Sequence, residues 1–341
     1  MTRFDPNSVY LIREGHIMRQ LLCVFVALLC ANAVAEVKRW SEVTQSKTID
    51  PKKSAALFVG VRDFPWDKTL ATVPYAVDDA VDLAYEFTME QRPALVDAKR
   101  VVLALSGEPQ KAESQEKLKK LLAAGVVRRN ATTEDILALL ESQSSSVGSS
   151  GIFIAAFATH GVSDDGIQYL LTASSTLGHY RRNGLTDAEI RETISRNGVA
   201  RSLIFIDACR ERLVKDRRSP DVDPRSVATF FRSFSRITGQ VVFSAAPGGG
   251  YAYDDEERRN GVFTATVIEG LHCGARANAA GFITVDSLHS YVESHVLAWL
   301  QEHKNRDAKT ATQWASEGNS KELPLSICVN HSAAASQRPA R

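Results

Sequence analysis

The sequence predicts an α/β fold of three layers, in which a mainly parallel sheet of about six strands is flanked by helices. Two strands carry this prediction. Ser202 to Ile206 form a continuous apolar, partly β-branched run, the pattern of a strand buried on both faces of a parallel sheet, and the run ends on Asp207-Ala208-Cys209. Gly151 to Ala158 run in the same way into Thr159-His160-Gly161. Ligands and catalytic groups in open α/β sheets collect beyond the carboxyl ends of the strands, so a carboxylate, a thiol and an imidazole at two such ends suggest a site.

In chain order, Glu36 to Pro51 is polar and aperiodic, and residues 36–54 read as a surface leader. Ala55 to Val61 is the first strand, and Arg62 to Pro74, with Pro65, Trp66 and Pro74, is a loop. Ala76 to Met89 has helical spacing at Val77, Val81, Leu83, Ala84 and Phe87. Lys99 to Leu105 is a second strand, and Leu118 to Leu122 belongs to a short helix. Thr132-Thr-Glu-Asp135 has the spacing of a capping box and opens a helix through Ile136 to Leu140. The Ser- and Gly-rich segment Ser142 to Ser150 reads as a linker. Ser163 to Gly166 is a turn by composition, Tyr169 to Thr172 a short strand, and Thr186-Asp-Ala-Glu189 a second capping box, with Ile190 and Ile194 on one face. Val214 to Arg225 is a basic, exposed loop; Gln240 to Ala245 is a strand followed by a flexible Pro247-Gly-Gly-Gly250 loop. Helices follow over Gly261 to Leu271 and Thr284 to Leu300, the latter with Val285, Leu288, Val292, Val296 and Trp299 along one stripe. One domain therefore spans 55–301, and 302–341 is an extension in which Pro324 and the tail after Asn330 are expected to be mobile.

The 341 residues, 44% of them apolar, are enough to bury a full core, and a net charge of +1 gives no electrostatic reason to expect nucleic acid as a partner. Near the start, Met18-Arg-Gln precedes an almost wholly apolar Leu21 to Leu29 and then Ala33-Val-Ala35. This reads as a secretory signal peptide over residues 1–35, cleaved after Ala35, with the natural start at Met18. The stretch is too short to span a bilayer permanently, so the expectation is an exported protein, periplasmic or secreted, with no stable membrane span. Three cysteines remain after cleavage. In an oxidising compartment an odd count leaves one thiol unpaired, expected to be Cys209, while Cys273 and Cys328 read equally as a bridge or as two buried thiols.

Cys209 lies 49 positions after His160, within Asp207-Ala208-Cys209-Arg210-Glu211. The spacing resembles that of caspase-like cysteine peptidases, and the aspartate two places before the cysteine is similar to the metacaspase branch, including its bacterial, orthocaspase-like members. Ala55 to Val61 with Ala76-Val-Asp-Asp-Ala80 resembles the family's opening strand and first helix. Gln240 to Asp254 with Asn260-Gly-Val-Phe-Thr264 resembles its later strand, substrate loop and helix. The resemblance covers roughly Ala55 to Ala298. It implies a caspase-like three-layer sandwich and a cysteine-type endopeptidase. Two departures stand out: Ala158-Thr-His-Gly161 replaces the usual Ser-Gly-His-Gly, and Arg210-Glu211-Arg212 offers no glycine after the cysteine.

A thiol attacks a peptide carbonyl as thiolate, and with a free pKa near about 8.5 it needs a base, for which His160 is the candidate. Singly, a strand-end histidine or a buried thiol is commonplace; at matching strand ends they suggest a dyad. The N–H groups of Gly161 and Cys209 would hold the oxyanion. By resemblance, Asp207 and Asp79 lie under the first substrate pocket, where two carboxylates favour Arg or Lys and repel Asp; Asp78 could serve in place of Asp79, and Ser244 completes the substrate-binding set. Cleavage after basic residues makes Lys215, Arg217 and Arg218 candidates for autoprocessing. No cofactor is expected to be required. Many metacaspases are activated by calcium, for which Asp164-Asp165 or Asp254-Asp255-Glu256-Glu257 could supply oxygen ligands. The alternatives are a catalytically weak module that binds basic peptides and a peptidase that prefers Asp before the cut.

Overall fold

The computed structural model of the chain describes residues 49–91, 94–164, 167–209, 240–245, 252–304, 313–316 and 318–328. The signal segment and most of the leader, Asp165, the basic loop with Lys215, Arg217 and Arg218, the glycine loop 246–251 and the tail after Cys328 lie outside the described residues.

The opening strand β1 (Ala55–Val61) is wholly buried and leads through the 62–74 loop into helix α1 (Ala76–Tyr85). Next come β2 (Val101–Ser106), α2 (Ala112–Ala124), β3 (Val127–Asn130) and α3 (Thr133–Ser145). The central strand β4 (Phe153–Asp164) turns back into β5 (Ile167–Leu170), and a four-residue helix α4 (Tyr180–Asn183) precedes β6 (Leu185–Thr186) and α5 (Asp187–Arg196). Strands β7 (Ser202–Cys209) and β8 (Gln240–Ser244) follow, then a hairpin of β9 (Asp254–Asp255) and β10 (Asn260–Gly261) and helix α6 (Val262–Glu269). The remaining elements are β11 (Phe282–Thr284), α7 (Val285–Lys304), β12 (Gln313–Ser316) and β13 (Pro324–Ile327).

Across the main sheet the order is β12-β8-β7-β4-β1-β2-β3. The strands from β8 to β3 pair in parallel, and β12 joins the β8 edge antiparallel. Buried strands of a parallel sheet feed side chains to both faces, which is why their sequences read as unbroken apolar runs. On one face Phe58, Leu103, Phe205 and Phe243 pack with α1, α2, α6 and α7. Phe87, just after α1, stacks on Phe205, and Phe205 on Phe243, with ring centroids 5.7 and 5.4 Å apart. On the other face Leu57, Phe157, Ile204 and Ile206 meet Ile136 and Leu140 of α3 and Ile190 and Ile194 of α5.

The three-layer expectation holds, with local differences. Edge strand β3 reads Val-Arg-Arg-Asn, without the apolar run of its neighbours. Tyr169 to Thr172 is expected as a short strand, and β5 supplies one two residues earlier, over Ile167–Leu170, folded back antiparallel on the end of β4. The serines of 142–145 extend α3 rather than forming a linker: Ser144 Oγ donates to the Leu140 carbonyl at 2.6 Å and Ser145 Oγ to the Ser142 carbonyl at 3.2 Å. Pro324 is not part of a mobile tail. It opens β13, which pairs with β11; Leu325 and Cys328 are buried, and Cys328 is disulfide-bonded to Cys273.

Candidate active site

Parallel pairing brings the two strand ends together. Ala158 lies opposite Asp207, Thr159 opposite Ala208 and His160 opposite Cys209. His160 is 2% exposed. Its Nε2 lies 2.8 Å from the Ala71 carbonyl, and its ring stacks on Phe64 with centroids 5.3 Å apart. A carbonyl oxygen only accepts, so this contact assigns the ring proton to Nε2 and leaves Nδ1 as the basic nitrogen of the neutral imidazole.

The loop that holds the histidine is itself pinned by Asp67. Its carboxylate accepts from the Thr69 hydroxyl at 2.6 Å, the Thr69 N–H at 2.9 Å and the Leu177 N–H at 2.8 Å. The Thr69 hydroxyl bond is the main cause holding the Asp67 carboxyl below its ordinary range. Gly161 pairs with Leu170 across the β4–β5 turn, and Ser244 ends β8 opposite Ile206.

The acidic candidates also converge. Asp207, at the end of β7, accepts from the Thr264 hydroxyl at 2.9 Å. Asp79, in the first turn of α1, accepts from the Asn260 amide at 2.9 Å and from the Gly261 N–H at 3.0 Å. Between the two carboxylates stands Gly261, which sits at φ −59°, so the need for glycine there is one of space. A Cβ at this position would lie 2.4 Å from Asp207 Oδ2 and 3.1 Å from Asp79 Oδ2. Burial first, and then the charge of Asp207, raise the Asp79 carboxyl well above its usual range. Burial likewise raises Asp207, against the Thr264 bonds that lower it. Burial thus disfavours the charged form of both carboxyls.

Asp78 does not share this pocket. Its carboxylate turns to the backbone N–H groups of Gln110 and Lys111 at the start of α2. Of the carboxylates considered for calcium, Asp164 binds the Tyr180 hydroxyl and pairs with Arg181. Asp255 accepts from the Glu257 and Arg258 N–H groups, and Glu256 takes the Tyr75 hydroxyl at 2.6 Å. Among the described residues no three His, Cys, Asp or Glu side chains group in a way that could hold a metal ion. Nor, among them, is any helix long and apolar enough to cross a membrane.

Sequence reasoning found the ends of β4 and β7 but not their supports. Phe64, Asp67 and Ala71 lie in a loop without periodicity, and a backbone acceptor leaves no mark on composition. Asn260, Gly261 and Thr264 belonged to a recognised segment, and the signal available there was the Asn-Gly pair just before an apolar helix.

The family model described as a caspase domain matches residues 53–324. No curated protein matches the chain. Among solved structures, caspase-1 from Spodoptera frugiperda aligns with a TM-score of 0.50 and 12% identity, covering 83% of this chain and 94% of that one. Protein GSU0716 from Geobacter sulfurreducens aligns with a TM-score of 0.48 and 14% identity, covering 82% of this chain and 100% of that one. At 12% identity the likeness to the Spodoptera protein bears on the fold alone.

Proposed function

The chain belongs to the caspase domain family, and from that premise we propose that it is a cysteine endopeptidase of the metacaspase kind, cutting after Arg or Lys with His160 and Cys209 as its dyad. The observation that carries the reading is the register of β4 against β7, which pairs His160 with Cys209. The two carboxylates facing each other across Gly261, two residues before the cysteine and on α1, support the basic specificity.

In this mechanism His160 Nδ1 takes the Cys209 proton as the sulfur attacks the carbonyl carbon of the scissile bond. The N–H groups of Gly161 and Cys209 receive the oxyanion. His160 then returns the proton to the leaving amine, and a thioester joins the acyl half of the substrate to Cys209. Water, deprotonated by the same imidazole, hydrolyses the thioester and regenerates the thiol. The Ala71 carbonyl and the Phe64 ring hold the imidazole in one tautomer and one plane while its charge changes. Asp79 and Asp207 neutralise the Arg or Lys side chain as they ionise.

The same specificity makes Lys215, Arg217 and Arg218 the proposed self-cleavage points. Export is supported by the Cys273–Cys328 disulfide, since such bonds persist in oxidising compartments. The test is hydrolysis of matched fluorogenic peptides ending in Arg, Lys or Asp, with and without calcium, by the protein from Glu36 onward and by Cys209→Ala. Turnover after Arg or Lys that falls by about 10⁴-fold or more in the variant is expected. Preferred cleavage after Asp would overturn the assignment of the pocket. A folded protein inert under all conditions would instead leave a binding module for basic peptides.

A further inference from the structure

Beside Asp79 lies a polar side chain whose orientation its hydrogen-bond partners determine. Asn260 is 5% exposed. Its Nδ2 donates to Asp79 Oδ1 at 2.9 Å and to Asp82 Oδ2 at 3.1 Å, while its Oδ1 accepts from Lys111 Nζ at 2.5 Å. Only one flip of the amide puts its oxygen on the cation and its nitrogen on both carboxylates. Building on the peptidase reading above, we propose that Asn260, oriented by Lys111, is a positioning residue for substrate specificity: it holds Asp79 in place, and favours its anionic form, for the incoming basic side chain.

The neighbouring carboxylate explains why an amide is needed. Asp82 is anchored from several sides, by Lys111 Nζ at 2.6 Å, Ser114 Oγ at 2.9 Å and Lys117 Nζ at 3.2 Å. It is the fixed anion of the cluster. Were Lys111 to reach Asp79 directly, its ammonium would compete with the substrate for the same carboxylate. The Asn260 amide instead passes the polarity of that cation one bond further without passing its charge, so Asp79 gains a donor and keeps its negative charge for the ligand. The geometry also concentrates the donors on one oxygen of Asp79. Asn260 bonds Oδ1, and the Gly261 N–H lies nearer Oδ1, at 3.0 Å, than Oδ2, at 3.2 Å. Oδ2 is the oxygen that shares the space at Gly261 with Asp207.

The hairpin carrying Asn260 is fastened to α1 and its surroundings at two further points. Tyr75 donates to Glu256, and Arg259 donates to the Gln110 carbonyl at 3.1 Å. Loss of the Asn260 amide therefore removes the aim of Asp79 before it removes the hairpin.

The experiment compares peptides identical except for Arg or its neutral isostere citrulline before the cut, using the protein from Glu36 onward. Asn260→Leu is expected to lower the Arg-over-citrulline ratio of kcat/KM by about 10- to 100-fold, the scale of a hydrogen bond to a charged group. The loss should sit in KM for the Arg peptide, while citrulline turnover changes little. Lys111→Met leaves the amide in place but free to turn; it is expected to lower the same ratio by a smaller factor, and it decides the question if Asn260→Leu does not fold. Folded variants that keep the wild-type ratio, or that lose both peptides equally, would overturn the proposal. If the wild-type protein itself shows no preference for Arg over citrulline, the basic pocket is wrong and this inference goes with it.

Discussion

At the scale of single residues, the proposed specificity makes the raised carboxyls of Asp79 and Asp207 couple recognition to pH. Asp79 faces Asp207 from β7 and feels Asp254 from β9, and through Asn260 it is linked to Asp82 and Lys111. In the empty pocket the pair retains protons above the ordinary carboxylate value near about 4. A bound guanidinium favours full ionisation, so binding expels what the pair retained. The ratio of kcat/KM for Arg over citrulline peptides is therefore expected to climb as pH rises from about 4 toward neutrality, and a ratio cancels the titration of His160 and Cys209. Stability runs the other way. A carboxyl whose folded pKa exceeds its unfolded one stabilises the protein below the unfolded value and loses that contribution as pH rises through the folded value. Asp207→Asn, which needs no ionisation, should thus gain on the wild type in melting temperature between pH 4 and pH 8, the profile expected where burial of charge is tolerated for binding. A flat difference across that range would show that the pair does not hold its proton. Asp207 was legible from its place at a strand end beside the cysteine, and Asp79 only by resemblance, as one of two adjacent aspartates at a helix start. The amide, the Ala71 carbonyl and the Phe64 ring were not, because their roles arise only when the loops are folded against those ends.

At the scale of elements, two helix N-termini lack a cap of their own and borrow one from elsewhere. Helix α6 begins at Gly261 with no side chain to cap it, and Asp207 reaches across from β7 to the hydroxyl and N–H of Thr264. Helix α2 begins after Lys111, again without a side-chain cap, and Asp78 supplies the acceptor from α1. This sorts two adjacent aspartates that the sequence alone left interchangeable: Asp79 faces Asp207 across Gly261, and Asp78 holds the start of α2. Asp78→Ala is expected to cost about 1.5–3 kcal/mol in urea unfolding, the range for hydrogen bonds to a charged group. It should leave the Arg-over-citrulline preference in place, whereas a loss of selectivity at full stability would reverse the assignment of the two residues. The same borrowing limits what patterning could predict. The spacing of Thr186 and Glu189 marked the start of α5 because that capping box is local. Helix α2 went unread beyond Leu118 to Leu122 because its buried face is only Ser114, Leu118 and Leu121. Strand β3 was missed because an edge strand has one neighbour and needs no apolar run.

At the scale of the molecule, the strand ends that carry His160 and Cys209 and the disulfide belong to different parts of the fold. The bridge joins Cys273, after α6, to Cys328, after β13, across a sequence separation of 55 residues. Between its ends lie β11, the long helix α7 and the edge strand β12 that completes the main sheet. The bridge therefore restrains in the unfolded chain a segment whose native contacts are spread along one side of the molecule. Closing a loop of this size limits the unfolded ensemble by an amount worth about 2–4 kcal/mol. The paired substitution Cys273→Ser/Cys328→Ser is expected to lower the free energy of unfolding in urea by that much. Reduction of the wild-type protein should reproduce the change. Under the proposed function, peptide cleavage at 25 °C should persist, because α1, β4, β7 and the β9–β10 hairpin carry the proposed pocket and dyad without Cys273 or Cys328. Unchanged stability in the double variant would mean that the thiols are not bridged in solution, and it would remove the support that the disulfide lends to export. Loss of cleavage at full stability would mean instead that α7 and its flanking strands reach the site more directly than their place in the fold implies.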